Sequence, residues 1–363
     1  MLSIHRQPLF VRFQCVGPQI AQTMLTAVLA MVVVLSGLEQ NTAVATEPLF
    51  TVPNLSANTD EIFLISTREV GTSVDSQRLQ QGLRCHRFVG NSSGQTMWQK
   101  TDWRNLLVDP IADRTTVFYV HGNRVAPGKD LLDGLEVYRS LKLHGKTNGP
   151  VRFIIWSWPS TPIPRPFKDF RLKATLTHPV AWQFAWLLQQ FPAKTKLSLV
   201  GYSYGARIVS GALHLLQGGQ LGKLKMNTPS NEEPSQYRAA LIAAAYDESW
   251  IEPGNYYGRA IQQIERMIIS SNKQDPAMRF YHLSNGRGRI HALGRQGITH
   301  LSSLGASADR IRHVDFSEHV GRSHSLMDYL AADIKMQIIW QQLFMPVKKR
   351  GTFNKFDVAT RHQ

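Results

Sequence analysis

Cysteine is almost missing: Cys15 and Cys85 are the only two in 363 residues. A disulfide framework and a four-thiolate zinc site are both excluded by that scarcity. No H-E-x-x-H occurs, and His319 and His324 are five apart, off a common helical face, so no metal is implied, nor any organic cofactor. Acidic residues are also few, 26 against 41 Lys and Arg, which leaves a formal charge of +15. The positive charges are scattered, apart from Lys348-Lys349-Arg350, and neither an aromatic-interleaved RNA signature nor a DNA-reading module accompanies them. Nucleic acid is therefore not an expected partner. The excess reads as a solvated basic surface or as one suited to anionic envelope material.

With 43% hydrophobic residues the chain can bury a sizeable core. Its first part stands outside that core. Arg6 and Arg12 precede an uncharged run from Ile20 to Gly37, followed by the small residues Ala43-Val44-Ala45. Residues 1–45 thus read as a signal peptide cut after Ala45 or, the run being just long enough to span a bilayer, as an N-terminal anchor. Either way the domain is expected to be exported: periplasmic, extracellular or membrane-anchored. Residues 46–60 read as a linker, 61–345 as the folded domain and 346–363 as a basic tail. Cleavage would leave Cys85 alone, so the core rather than a disulfide must hold the domain together.

Strand and helix patterns alternate along the domain. Glu61 to Ser66, Thr115 to Val120, Val151 to Trp158, Tyr237 to Ala245, Arg266 to Asn272 and Ile311 to Phe316 read as strands. Helical spacing is expected through Leu131 to Leu141, from Phe167 to Gln190 with a break before Pro179, from Asn255 to Gln263, and from Leu326 to Phe344 with Leu326, Leu330, Ile334 and Ile338 on one stripe. Residues 71 to 114 show no clear period beyond edge strands and loops. Such alternation predicts an α/β domain with a mostly parallel sheet covered on both faces.

The chemistry centres on Lys196 to Leu216. The run Leu197-Ser198-Leu199-Val200 stops at Gly201, and a helix-period run through Ala206, Val209, Ala212, Leu213 and Leu216 follows. Between them lies Gly201-Tyr202-Ser203-Tyr204-Gly205, a G-x-S-x-G. A bare match of this kind arises by chance in about one chain in ten of this length. Its setting, strand before and helix after, is what makes it a nucleophile elbow that holds Ser203 in a strained turn above the sheet. Thr115 to Val120 ends in His121-Gly122-Asn123-Arg124, a glycine-containing loop that leads to the next helix.

The chain resembles the α/β-hydrolase superfamily, most closely a poorly characterised serine-esterase or lipase-like branch with an HGN loop, a G-Y-S-x-G-A-R elbow and an acid of the form D-x-A-x. The resemblance spans roughly Glu61 to Trp340. It implies a triad in the order Ser203, Asp275, His324, with Asp247 as the alternative acid and His319 as the alternative base. It implies an oxyanion hole from the backbone N–H groups of Tyr204 and Asn123, with His121 shaping the loop. The imidazole takes the serine proton during attack on a carbonyl carbon, and the carboxylate fixes its tautomer. Arg207, one turn past Ser203, is expected to bond nearby backbone or a substrate anion, and Asp315 to be structural. The expected activity is hydrolysis of a carboxylic ester, small or lipid-like, through an acyl-enzyme. A peptidase or thioesterase with the same triad and a catalytically silent scaffold that binds anionic envelope material are the alternatives. Trp156, Trp158, Tyr202 and Tyr204 are candidates for an acyl site or for the core, and Asn285 to Ala308 for a pocket wall.

Overall fold

The computed structural model describes residues 60–344, except 91–95, 109–110, 112–113, 146–148, 228–235, 263, 280 and 282–290. The expected leader, the basic tail and the linker up to residue 59 lie outside the described residues, as does the start of the stretch from Asn285.

Strands β1 (Glu61–Ser66), β2 (Arg84–Gly90), β3 (Thr96–Thr101), β4 (Thr115–Val120), β5 (Val151–Ser157) and β6 (Lys196–Tyr202) come first. A short ribbon of β7 (Gln220–Leu221) and β8 (Leu224–Lys225) follows, then β9 (Gln236–Ile242), β10 (Ile264–Ser271) and β11 (Ile311–Asp315). Among the described residues the α-helices are α1 (Ser76–Gly82), α2 (Lys129–His144), α3 (Pro166–Gln190), α4 (Tyr204–Leu216), α5 (Pro276–Arg279), α6 (Leu293–Gln296), α7 (Ser317–Val320), α8 (Leu326–Leu330) and α9 (Asp333–Phe344).

All strands but β7 and β8 join one sheet in the order β11-β10-β9-β6-β4-β5-β1-β2-β3. Every neighbouring pair from β11 to β1 is parallel, and the β1–β2 and β2–β3 pairs at one edge are antiparallel, so β2 alone is reversed. The central strands are apolar on both sides because both sides are covered. Phe118, Ile154 and Leu199 meet Phe184 and Leu187 of α3 and Ala206 and Val209 of α4. Their neighbours Val117, Phe153 and Val200 point the other way, onto Leu135 and Tyr138 of α2 and Met336 and Trp340 of α9. This mostly parallel sheet between two helical layers, with a strand–turn–helix at its centre, is the α/β-hydrolase fold.

Local expectations fail where tertiary packing overrides period. The helix expected at Asn255 to Gln263 is a series of turns over its described residues. A Cβ at Gly258 would meet Glu252 O at 2.3 Å, and Tyr256 and Tyr257 pack on Trp250 instead of forming a helical face. The final helix divides into α8 and α9, because Asp333 opens a new first turn where a carboxylate suits the helix N-terminus. Its buried face is Met336, Ile339, Trp340 and Leu343, whereas Ile334 and Ile338 of the expected stripe are exposed. Helix α3 runs unbroken through Pro179. The buried Val180, Ala181, Phe184, Leu187 and Leu188 that follow outweigh one lost hydrogen bond.

Residues 71 to 114 add α1 and a single 3-10 turn at Trp103–Leu106 to the edge strands. Cys85 is buried on β2, and burial pushes its thiol up to about 12. Among the described residues no helix is long and apolar enough to cross a membrane.

Candidate active site

Ser203 directly follows β6 and caps α4 with φ 54° and ψ −114°, a region costly for any residue with a Cβ. The surroundings impose it. Ser203 N donates to Ile242 O at 2.9 Å, and Ala245 N donates to Ser203 O at 3.3 Å, so the end of β9 and the segment after it grip the turn from one side. On the other, a Cβ at Gly201 would meet Ala206 Cα at 2.7 Å, and one at Gly205 would meet Val120 O at 1.9 Å. Both glycines of the motif are therefore contact points, the first with its own helix and the second with the end of β4.

The Ser203 hydroxyl lies 3.1 Å from His324 Nε2. His324 Nδ1 lies 2.7 Å from Asp275 Oδ2. With Nδ1–H donating to the carboxylate, the Nε2 lone pair faces the serine. Asp275 is wholly buried just beyond β10, and its other oxygen accepts from Met278 N at 3.1 Å, which fixes the carboxylate at the start of α5. Tyr329 Oη also donates to Asp275 Oδ2, at 3.3 Å.

The loop carrying His324 is fastened at several points. Asn272 Nδ2, fully buried at the end of β10, donates to Gly321 O at 2.8 Å. Tyr202 Oη donates to His324 O, and the Tyr202 ring stacks on the imidazole at 5.5 Å. Burial, reinforced by Asp275, holds the Tyr202 hydroxyl well above the ordinary tyrosine range, so it remains a donor. Asn272, Tyr202 and Tyr329 were not singled out as partners of these residues in the sequence. No spacing rule announces them, since each acts through a loop far away along the chain.

The HGN loop passes directly over the elbow. A Cβ at Gly122 would meet Tyr202 Cδ1 at 3.0 Å and Ser203 Cβ at 3.2 Å. Buried His121 is used on both ring nitrogens: Nδ1 donates to Gly122 O at 2.9 Å, and Nε2 accepts from Trp158 N at 3.2 Å. Burial lowers its pKa to about 4, so the ring is neutral and structural at neutral pH. Asn123 follows, with its side-chain amide donating to Asp169 Oδ2 at 3.1 Å. Arg124 Nη1 lies 3.3 Å from the same oxygen, and Lys173 Nζ lies 3.5 Å from the other. Asp169, wholly buried in α3, thereby ties the loop to that helix. The Asn123 amide nitrogen is thus committed to Asp169, while its Oδ1 is buried without a hydrogen-bond partner among the described residues. Tyr204 is the first residue of α4, where a backbone N–H points out of the helix end instead of into the helical ladder.

The remaining candidates are elsewhere. Asp247 Oδ1 accepts from Ser249 N and Ser249 Oγ, both at 2.9 Å, and caps a 3-10 turn. His319 is exposed on α7. Asp315 caps Ser317 N at 2.8 Å. Arg207 is buried, bonding Tyr281 Oη at 3.0 Å and the Ala245 and Ala174 carbonyls at 3.4 Å, and it stacks on Tyr204 and Trp250. Trp156 and Trp158 have no exposed surface and belong to the core. Among the described residues no group of three His, Cys, Asp or Glu side chains is placed to hold a metal ion.

Neither a family model nor a curated protein matches the chain. Among solved structures, esterase B from Lactobacillus rhamnosis is similar over 89% of this chain and 95% of its own, at 11% identity and a TM-score of 0.41. An IroE-like serine hydrolase from Shewanella oneidensis covers 73% of this chain and 78% of its own, at 12% identity and 0.34. Acyl-protein thioesterase 2 from Zea mays covers 63% and 94%, at 14% identity and 0.31. These are distant likenesses, and the fold assignment stands on the sheet order and the elbow.

Proposed function

We propose that the chain is a serine hydrolase that cleaves a carboxylic ester through an acyl-enzyme. The observation that carries this reading is the continuous line from the strained Ser203 through His324 to buried Asp275, at 3.1 and 2.7 Å. In the proposed reaction His324 Nε2 accepts the Ser203 proton as Oγ bonds to the ester carbon, and Asp275 stabilises the imidazolium that forms. The backbone N–H groups of Tyr204 and Asn123 receive the developing oxyanion. The tetrahedral adduct collapses as the imidazolium protonates the leaving alcohol, and a water activated by the same imidazole then releases the acid and restores the Ser203 hydroxyl.

Asp275 and His324 are preferred over Asp247 and His319 because only the former pair touches the serine line. The test is fluorophosphonate labelling and turnover of a short p-nitrophenyl ester, for wild type and Ser203→Ala. Labelling and turnover that both vanish in the variant support the reading. A folded wild type that neither labels nor turns over refutes it.

A further inference from the structure

The first turns of α3 face two ways. Inward, Asp169 holds the HGN loop and the Phe170 carbonyl accepts from Tyr204 Oη at 3.1 Å, so this segment forms one wall beside Ser203. Outward, the same turns expose Arg165, Lys168, Arg171 and Leu172, the last at 52%. Exposed Pro162 and Pro164 and half-buried Ile163 and Phe167 extend the apolar part.

None of the side chains of Arg165, Lys168 and Arg171 has a hydrogen-bond or ion-pair partner among the described residues. Some cations elsewhere are matched, as in Arg84 with Glu69, Arg104 with Asp102 and Lys129 with Asp133, and others such as Lys100, Lys196 and Lys223 also lack a side-chain partner among the described residues; what sets α3 apart is that three such cations share one face with exposed apolar side chains. From Ser160 to Thr175 the one acid is Asp169, and it is turned fully inward. The residues before and after His324 are mixed in sign, with Arg322 close to Glu318 and Asp328 in the chain, so of these two segments only the α3 one presents a single sign.

We propose that this outward face of α3 docks onto an anionic lipid surface and so brings the Ser203 site to esters held there. Unmatched cations around exposed apolar side chains complement acidic headgroups over acyl chains, which a soluble polyanion or a neutral bilayer would not satisfy together. The net charge of +15 adds long-range attraction. The proposal deepens the hydrolase reading and rests on it for its purpose, but the docking itself is read without turnover.

The experiment uses the full chain with Cys15→Ser and Leu172→Cys, labelled at position 172 with an environment-sensitive nitrobenzoxadiazole dye; Cys85 is buried and stays unlabelled. A blue shift on mixed phosphatidylglycerol–phosphatidylcholine vesicles, absent on pure phosphatidylcholine, is expected. Arg165→Glu, Lys168→Glu and Arg171→Glu should each weaken the response by about fivefold or more. Fluorophosphonate labelling and turnover of a soluble ester should stay unchanged, which also shows that the variants fold. No shift on acidic vesicles, an equal shift on neutral ones, or the same shift with lipid-free dextran sulfate would overturn the docking proposal. A vesicle shift that persists in a wild-type protein inert to fluorophosphonate supports docking and removes only the hydrolase reading.

Discussion

Ser203 and His324 meet at one point but are held there by different means. The serine is placed by backbone alone: a strand end, two glycines without room for a methyl group, and two main-chain bonds to the end of β9 and the residues just after it. The histidine is placed by side chains, with Asp275 on its ring, Tyr202 on its carbonyl and Asn272 on the loop before it. Backbone placement tolerates almost no change at the residues that make it. Side-chain placement is spread over several residues and should fail by degrees.

The sharpest way to break this contrast is Gly205→Ala. Its new Cβ would lie 1.9 Å from the Val120 carbonyl oxygen, inside the central strand pair. We expect a loss of more than about 4 kcal/mol and no accumulation of folded protein, checked by circular dichroism and yield. A stable variant with normal turnover would show that the elbow is not fixed by contact.

Asp275→Asn should keep the fold and lower kcat by about 10⁴-fold, because the amide favours the wrong imidazole tautomer. Asp247→Asn, which alters only a turn cap, should leave kcat within about twofold. Steady-state turnover of both variants separates the two acids. Equal losses would mean that the side-chain half of the site is misassigned.

His121 sharpens the comparison through pH. Its pKa is lowered from 6.5 to about 4 in the folded protein, so between those values the unfolded chain binds the extra proton. Stability is therefore full above pH 6.5 and falls as pH drops toward 4, by up to about 3 kcal/mol from this residue. Urea midpoints at both ends of the window should show the fall, and His121→Asn should flatten it. A milder loss is expected from Asn272→Ala, about 1–3 kcal/mol for the unmet Gly321 carbonyl, read as lower thermal stability with a modest drop in kcat.

What could be read in advance follows the same division. The elbow was legible because its steric demand falls on glycines and on a change of period within one short stretch. The parallel sheet was legible because its strands are apolar on both faces. The acid and the base lie 49 residues apart and are joined by a tertiary bond, so order along the chain supplied candidates and the competing Asp247 and His319 stayed open. Asn272 and Tyr329 gave no signal at all, since an asparagine at a strand end and a tyrosine in a helix are ordinary in sequence. The turns at Asn255 and the split before Asp333 were misread because packed aromatics and a helix start override a local apolar period.

The distances along the chain have one more consequence, in time. Ser203 is held in its strained posture by main-chain bonds to Ile242 and Ala245, and its imidazole partner comes from a residue 121 positions later. A growing chain thus carries Ser203 without its imidazole partner while the next 121 residues are made. Truncated products that stop short of His324 have the elbow sequence but not the proposed proton acceptor, so the proposed site is completed only near the end of synthesis.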